Sequence, residues 1–167
     1  ITAVAITPDS KHLVTAGDDH TIRLFALATG QFQTELKGHT DWVRSIAISP
    51  DGSTLYSAGD DRTIRRWHLP DGQPISEFDR LGHTTDVIAL SRDGKQLAAA
   101  GFADELRIYD TTTSRLTQRI TCPSRDVRAV AFSPDGKQIA AGGRNGVVAI
   151  WNVADGGAVK QIIAHKQ

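Results

Sequence analysis

A step of 42 residues runs through the whole chain. Pro8-Asp9, Pro50-Asp51, Arg92-Asp93 and Pro134-Asp135 recur at that interval, as do Gly17, Gly59, Gly101 and Gly143. Phe25, Trp67, Tyr109 and Trp151 keep the same step. Aromatics are only 6% of residues, so four such matches in one phase have chance odds on the order of 10⁻⁵. A repeat of this length makes each unit one supersecondary motif that buries its apolar face on its neighbours. Four periods fill the 167 residues and leave no room for a second domain.

The unit reads as four strands. Ser45-Ile46-Ala47-Ile48-Ser49 alternates small or polar with apolar side chains, and Pro50-Asp51-Gly52 supplies a turn. Thr54-Leu55-Tyr56-Ser57-Ala58 is a second strand, ended by Gly59-Asp60-Asp61. Thr63-Ile64-Arg65-Arg66-Trp67 is a third, broken at Pro70-Asp71-Gly72. Pro74-Ile75-Ser76-Glu77-Phe78 is a weaker fourth, suited to an outer edge because Pro74 has no N–H to give a ladder. Short strands separated by Gly, Pro and Asp, without helical periodicity, predict an all-β protein. Four strands in about 40 residues is the size of one propeller blade.

These residues resemble the WD-repeat family along the whole chain. The fullest unit runs Gly38-His39-Thr40-Asp41-Trp42-Val43-Arg44, through Ser57-Ala58-Gly59-Asp60-Asp61, to Thr63-Ile64-Arg65-Arg66-Trp67. The family places Gly-His before the first strand and a Trp, usually followed by Asp, at the end of the third. Here His68 follows Trp67, Ala26 follows Phe25, Asp110 follows Tyr109 and Asn152 follows Trp151, so the last letter is degenerate. The resemblance implies a β-propeller with four blades of four antiparallel strands each, at approximately 1–37, 38–79, 80–121 and 122–167. Because propellers of this type usually have about seven blades, these four are expected to be part of a larger one. The lack of methionine, which means that Ile1 is not a translation start, points the same way.

By resemblance, His39, Ser57, Asp61 and Trp67 form the buried hydrogen-bonded network that ties a WD blade together. An imidazole carries one donor and one acceptor, and burying it unpaired costs about 1–3 kcal/mol. Asp61 accepts from it, and the Ser57 hydroxyl links it to the indole. Only the second unit has the full set. The first has Thr15, Asp19 and Phe25 with no preceding His, the third has Ala99 and Ala103, and the fourth Ala141 and Asn145. The last two are expected to hold together by apolar packing.

The same Ser57, His39 and Asp61 invite comparison with a nucleophilic triad, but the repeat places them where a blade has its internal tie, and no catalytic residue is assigned. Asp18-Asp19-His20 and Asp60-Asp61 lack motif-grade ligand spacing and fit turn chemistry, so no metal and no cofactor is expected. His83 follows Gly82 but lies 44 residues after His39 rather than 42, with the extra residues in Phe78-Asp79-Arg80-Leu81; it is expected in a solvated loop. Arg66 stands where the other units have Leu24, Ile108 and Ile150, and is expected to pack its stem and extend its head to solvent.

Family members bind partners on the rim of the top face, near the start of strand one and the turn before strand three. By the period these positions are Thr2, Arg44, Asp86 and Arg128, with Trp42 beside them, and Asp18, Asp60, Phe102 and Arg144. They vary in charge and size where their neighbours hold the repeat, as specialised loops on a rigid scaffold would. Nineteen basic residues balance nineteen acidic ones, so no overall field attracts nucleic acid or an anionic membrane. No apolar run approaches the roughly 20 residues of a membrane helix. Ile1 to Ile6 lead straight into Pro8-Asp9 without a signal-peptide pattern, and the lone Cys122 leaves the redox compartment open.

The expected function is therefore a non-catalytic scaffold for other proteins or peptides, with no nucleic acid or membrane as partner. The alternative is a propeller that binds or turns over a small ligand in its channel. The strands that would line it, Val4-Ala5-Ile6, Ile46-Ala47-Ile48, Ile88-Ala89-Leu90 and Val130-Ala131-Phe132, carry no acid or base. Four blades leave two apolar end faces. A closed four-bladed ring, an eight-bladed ring of two copies, or further blades from a longer chain would cover them. His165, three periods after His39, stands where it would tie a following blade.

Overall fold

The computed structural model describes residues 1–78 and 82–165. Among them are sixteen strands and no helix, so none is long and apolar enough to cross a membrane. The strands form four antiparallel sheets, each of four consecutive strands. Sheet 1 holds β1 (Ala3–Ile6), β2 (His12–Ala16), β3 (Ile22–Ala26) and β4 (Phe32–Leu36). Sheet 2 holds β5 (Val43–Ile48), β6 (Thr54–Gly59), β7 (Ile64–His68) and β8 (Pro74–Glu77). Sheet 3 holds β9 (Thr85–Leu90), β10 (Gln96–Gly101), β11 (Glu105–Asp110) and β12 (Leu116–Thr121). Sheet 4 holds β13 (Val127–Phe132), β14 (Gln138–Gly143), β15 (Val147–Asn152) and β16 (Ala158–Ile163). The chain divides into two compact units, Ile1–Thr85 and Asp86–Gln167.

The recurring aspartate of the first turn has one mechanical role in all four sheets. The hydroxyls of Thr7, Ser49, Ser91 and Ser133 donate to Asp9, Asp51, Asp93 and Asp135 at 2.6, 2.5, 2.6 and 2.6 Å. The same carboxylate oxygens accept the backbone N–H of Lys11, Ser53, Lys95 and Lys137 at 3.0–3.1 Å. These hydroxyl and amide donors hold all four carboxyls below the usual aspartate range. The next residue turns left-handed, with φ of 74°, 72° and 70° at Gly52, Gly94 and Gly136. Ser10 takes the same conformation at 58° without that freedom.

In the first unit, alternate side chains of sheet 1 enter a core shared with sheet 2. Val14, Ala16, Ile22, Leu24 and Leu36 pack with Val43, Leu55, Trp67 and Leu69, and Ala3, Ile46 and Ile48 close its margin. Strand β6 is buried along its whole length, as a strand covered on both faces must be. The second unit repeats the plan. Ala98, Ala100, Leu106, Ile108 and Ile120 pack with Ile139, Ala141, Ala149 and Trp151.

Each outer strand joins its neighbour through a register shift beside the repeated aromatic: Leu24/Phe25, Arg66/Trp67, Ile108/Tyr109 and Ile150/Trp151. Pro74 lies opposite Trp67 just past this irregularity, where a missing N–H is tolerated.

Candidate functional site

The four residues singled out for an internal tie meet inside the first unit. Ser57 comes from the middle of buried β6, Trp67 from the end of β7, Asp61 from the turn between those strands, and His39 from the segment leading into β5. His39 Nδ1 lies 2.8 Å from Asp61 Oδ2, and Nε2 lies 2.7 Å from Ser57 Oγ. The indole N–H of Trp67 donates to Ser57 Oγ at 2.8 Å. The Asp61 carboxylate can only accept, so His39 donates to it from Nδ1; in the neutral imidazole Nε2 then accepts the Ser57 proton. The chain of donors runs one way from Trp67 to the carboxylate.

Asp61 also collects donors that sequence reasoning missed. The backbone N–H of Thr40 reaches Oδ2 at 3.1 Å, while Thr63 gives its N–H and its hydroxyl to Oδ1 at 3.0 and 2.9 Å. Burial alone would raise this carboxyl; the bond from His39 and these further donors outweigh burial and hold it well below the usual range. The signal was present in the spacing, because Thr21 stands two residues after Asp19 and caps it the same way. In sheet 4, Asn145 keeps part of the role, bonding the Val147 N–H and the Pro123 carbonyl. Apolar packing there is supplemented rather than alone. All of Ser57, and nearly all of His39 and Asp61, is withdrawn from solvent, which suits a structural tie and not a nucleophile that must meet substrate.

The rim of the first unit has a built cluster. Trp42 is 42% exposed, and the Arg44 guanidinium stacks over its ring at 4.5 Å. Asp60 grips that guanidinium, taking Nε at 3.0 Å and Nη2 at 2.6 Å. The backbone closes the triangle, as the Asp60 N–H donates to the Trp42 carbonyl at 2.9 Å. Asp18 is exposed on the turn after β2; Gly17 beside it accepts the Val43 N–H at 3.1 Å, which sets Asp18 near the Trp42 cluster. Thr2 is exposed, with its hydroxyl bonded to the carbonyls of Ala16 and Val43.

The second unit occupies the equivalent positions with inverted chemistry. Asp126 stands at the repeat position of Trp42, and the sequence reading passed over it. It pairs with both Arg128 Nε and Arg144 Nε, the latter at 3.1 Å. Arg128 also reaches Asp86 at 3.3 Å. Phe102 is 64% exposed. One arginine held by one carboxylate under an indole therefore becomes one carboxylate held between two arginines.

One expectation changes. His83 is half-buried, with Nδ1 shut off from solvent, because the loop runs directly into Thr85, which is 1% exposed. The insertion before it falls mostly on residues 79–81, outside the described residues. Arg66 lies opposite Ser76 in the β7–β8 register and is half-buried, with its Nε enclosed. A cavity of about 260 Å³ in the second unit is lined by Arg92, Asp93, Pro134, Asp135 and Gly136. Both its carboxylates already serve their own turns. No three His, Cys, Asp or Glu among the described residues are gathered as a metal site requires.

Four-stranded antiparallel sheets, one per 42-residue repeat and packed face to face within each unit, are the blades of a β-propeller repeat protein. The family model for the WD domain, G-beta repeat, matches residues 1–25, 30–68 and 114–152, together more than half the chain. The chain belongs to the WD-repeat family, whose members generally act as protein-binding scaffolds without catalysis. The first three strands of sheet 3, where Ala99 and Ala103 replace the polar tie, lie outside the matched segments. No curated protein matches the chain.

Proposed function

We propose that this chain is a non-catalytic scaffold that binds other proteins or peptides through the top-face rim of its blades, set at about 1–37, 38–79, 80–121 and 122–167. One observation carries the reading: Trp42 is exposed, and the Arg44 guanidinium stacked over it is itself bound by Asp60. A surface indole with no role would gain nothing from such support. A pre-ordered aromatic beside an arginine is the composition of an interface hot spot and loses little entropy on binding. Asp18 extends this contact surface in the first unit; Asp86, Phe102, Arg128 and Arg144 supply the second. Carboxylates accompany every arginine of these clusters, so neither is the basic face that nucleic acid needs.

The test is affinity capture with the folded chain and with Trp42→Ala and Arg44→Ala, the recovered proteins being quantified by mass spectrometry. Loss of the same partners in both variants supports the rim reading. Equal recovery by all three chains refutes it.

A further inference from the structure

The cavity beside Arg92 and Pro134 continues into two others, of about 380 and 180 Å³. The first two share Gly136, and the last two share Gln96, Val153 and Ala154. Together they make one groove between sheets 3 and 4 of the second unit. It crosses the β9–β10, β13–β14 and β15–β16 turns and ends against Thr117 and Gln118 of β12. These turns lie at the opposite end of the strands from the rim residues Phe102 and Arg144, which follow β10 and β14.

The first unit has the same repeat positions, two repeats earlier, but fills them with different residues. Pro8 stands for Arg92, and a methyl group at Gly52 would touch the Pro8 ring at 3.5 Å. At Gly136, the equivalent of Gly52, a methyl group would meet nothing within 4 Å. Leu69 and Pro70 are replaced by the smaller Val153 and Ala154. The groove is therefore opened by the side chains of this unit and not by the repeat as such.

Charge changes along with size. His68, which pairs with Asp71 at 2.8 Å, is replaced by Asn152 beside Asp155. Ala26 is replaced by Asp110, which adds a carboxylate to the wall. Among the described residues, neither Asp110 nor Asp155 is in an ion pair. Asp110 takes both Thr113 donors on Oδ1, and Asp155 takes the Gly157 N–H on Oδ1, so Oδ2 of each can receive a cation. The Thr113 donors also hold the Asp110 carboxyl below the usual range, which keeps it ionised at neutral pH. Arg92 borders the first cavity with Asp93 and Asp135, and Lys137 the second with Asp155. The third, which holds Asp110, is lined by no cation among the described residues.

The walls of that third cavity suit an extended peptide with a basic side chain. Gln96 and Gln118 each offer an amide donor and acceptor, the complement of a backbone peptide group. Val153 and Ala154 form an apolar floor for a lysine or arginine stem, whose head then meets Asp110.

We propose that this groove is a second binding site, whose occupant is an extended segment of a partner protein with a lysine or arginine seated at Asp110. It shares no residue with the rim and does not depend on the rim reading.

The probe is a short, capped, fluorescein-labelled peptide of alternating lysine and alanine, with its glutamate–alanine counterpart as control. Fluorescence anisotropy should show saturable binding of the lysine peptide alone, with a dissociation constant below about 1 mM. Asp110→Asn keeps the Oδ1 acceptor for Thr113 and should weaken binding about tenfold, as expected for one charge-assisted hydrogen bond. Ala154→Trp fills the groove from an exposed position and should abolish binding. Trp42→Ala should leave it unchanged, which separates this site from the rim. Far-UV circular dichroism confirms that each variant folds. Absence of saturable binding overturns the proposal. So does equal binding of the glutamate peptide, dependence on Trp42, or an affinity indifferent to Asp110→Asn or Ala154→Trp.

Discussion

Ser57→Ala removes one oxygen from the interior of the first unit, and the structure sets what should follow. That hydroxyl is fully buried, accepts from Trp67 at 2.8 Å and faces His39 Nε2 at 2.7 Å. Its loss strands an indole N–H and an imidazole nitrogen together. A buried polar group left without a partner costs about 1–3 kcal/mol. Two groups, partly relieved by small shifts or an entering water, give an expected loss of about 2–4 kcal/mol. That would be a large share of the stability of an ordinary domain. Urea unfolding followed by far-UV circular dichroism measures the change. The double variant Ser57→Ala with Trp67→Phe sharpens the test, since phenylalanine takes away the stranded donor. It should lose about 1 kcal/mol less than the sum of the single variants. A Ser57→Ala loss below about 0.5 kcal/mol, or strict additivity in the cycle, would refute the one-way donor chain.

The depressed carboxyl of Asp61 gives a pH dependence with a definite sign. Its folded value lies below the ordinary 3.8, so its contribution is complete above about pH 4 and is lost as the pH falls further. Unfolding midpoints between about pH 5 and pH 2 should therefore drop more steeply for the unaltered chain than for Asp61→Asn. Gly59→Ala should destabilise by roughly 1–3 kcal/mol in the same assay, because the new methyl would run into the Trp42 carbonyl. Arg44→Ala should cost less than about 1 kcal/mol while changing Trp42 fluorescence, since it frees the ring without opening the core. The Cys122 thiol, pushed up to about 11 by burial and the nearby Asp104, should resist a disulfide reagent until the chain unfolds, as stopped-time thiol titration in urea would show.

How far the chain can be read without coordinates depends on what kind of contact is concerned. The sheets were legible because a 42-residue period and a two-residue alternation are one-dimensional signals, and turn chemistry punctuates them. The turn at Pro50-Asp51-Gly52 is local and could be read as such, whereas the Ser49 hydroxyl that caps its aspartate was seen only in the structure. The partners of Asp61 were half legible. His39 and Ser57 stood out by type, but Thr40 and Thr63 donate partly through backbone N–H groups that carry no sequence signature. Asp126 was passed over because, as a lone acid between Arg125 and Val127, nothing marked it until Arg128 and Arg144 were seen to converge on it. His83 was placed by average exposure for its type, and the packing next to Thr85 overrode that average.

The period, the strands, the turns and the membership of each repeat position were determined by the amino-acid order itself, since each rests on residues close along the chain or equivalent across the repeat. Tertiary structure alone decided which charges pair, which aromatics stay exposed and which side chains lose their water. Those properties depend on how the folded backbone aims each side chain, in some cases across distant stretches of chain, as for Arg44 and Asp60, 16 residues apart. The same 42-residue repeat therefore builds a stacked indole in one unit and a clamped carboxylate in the other.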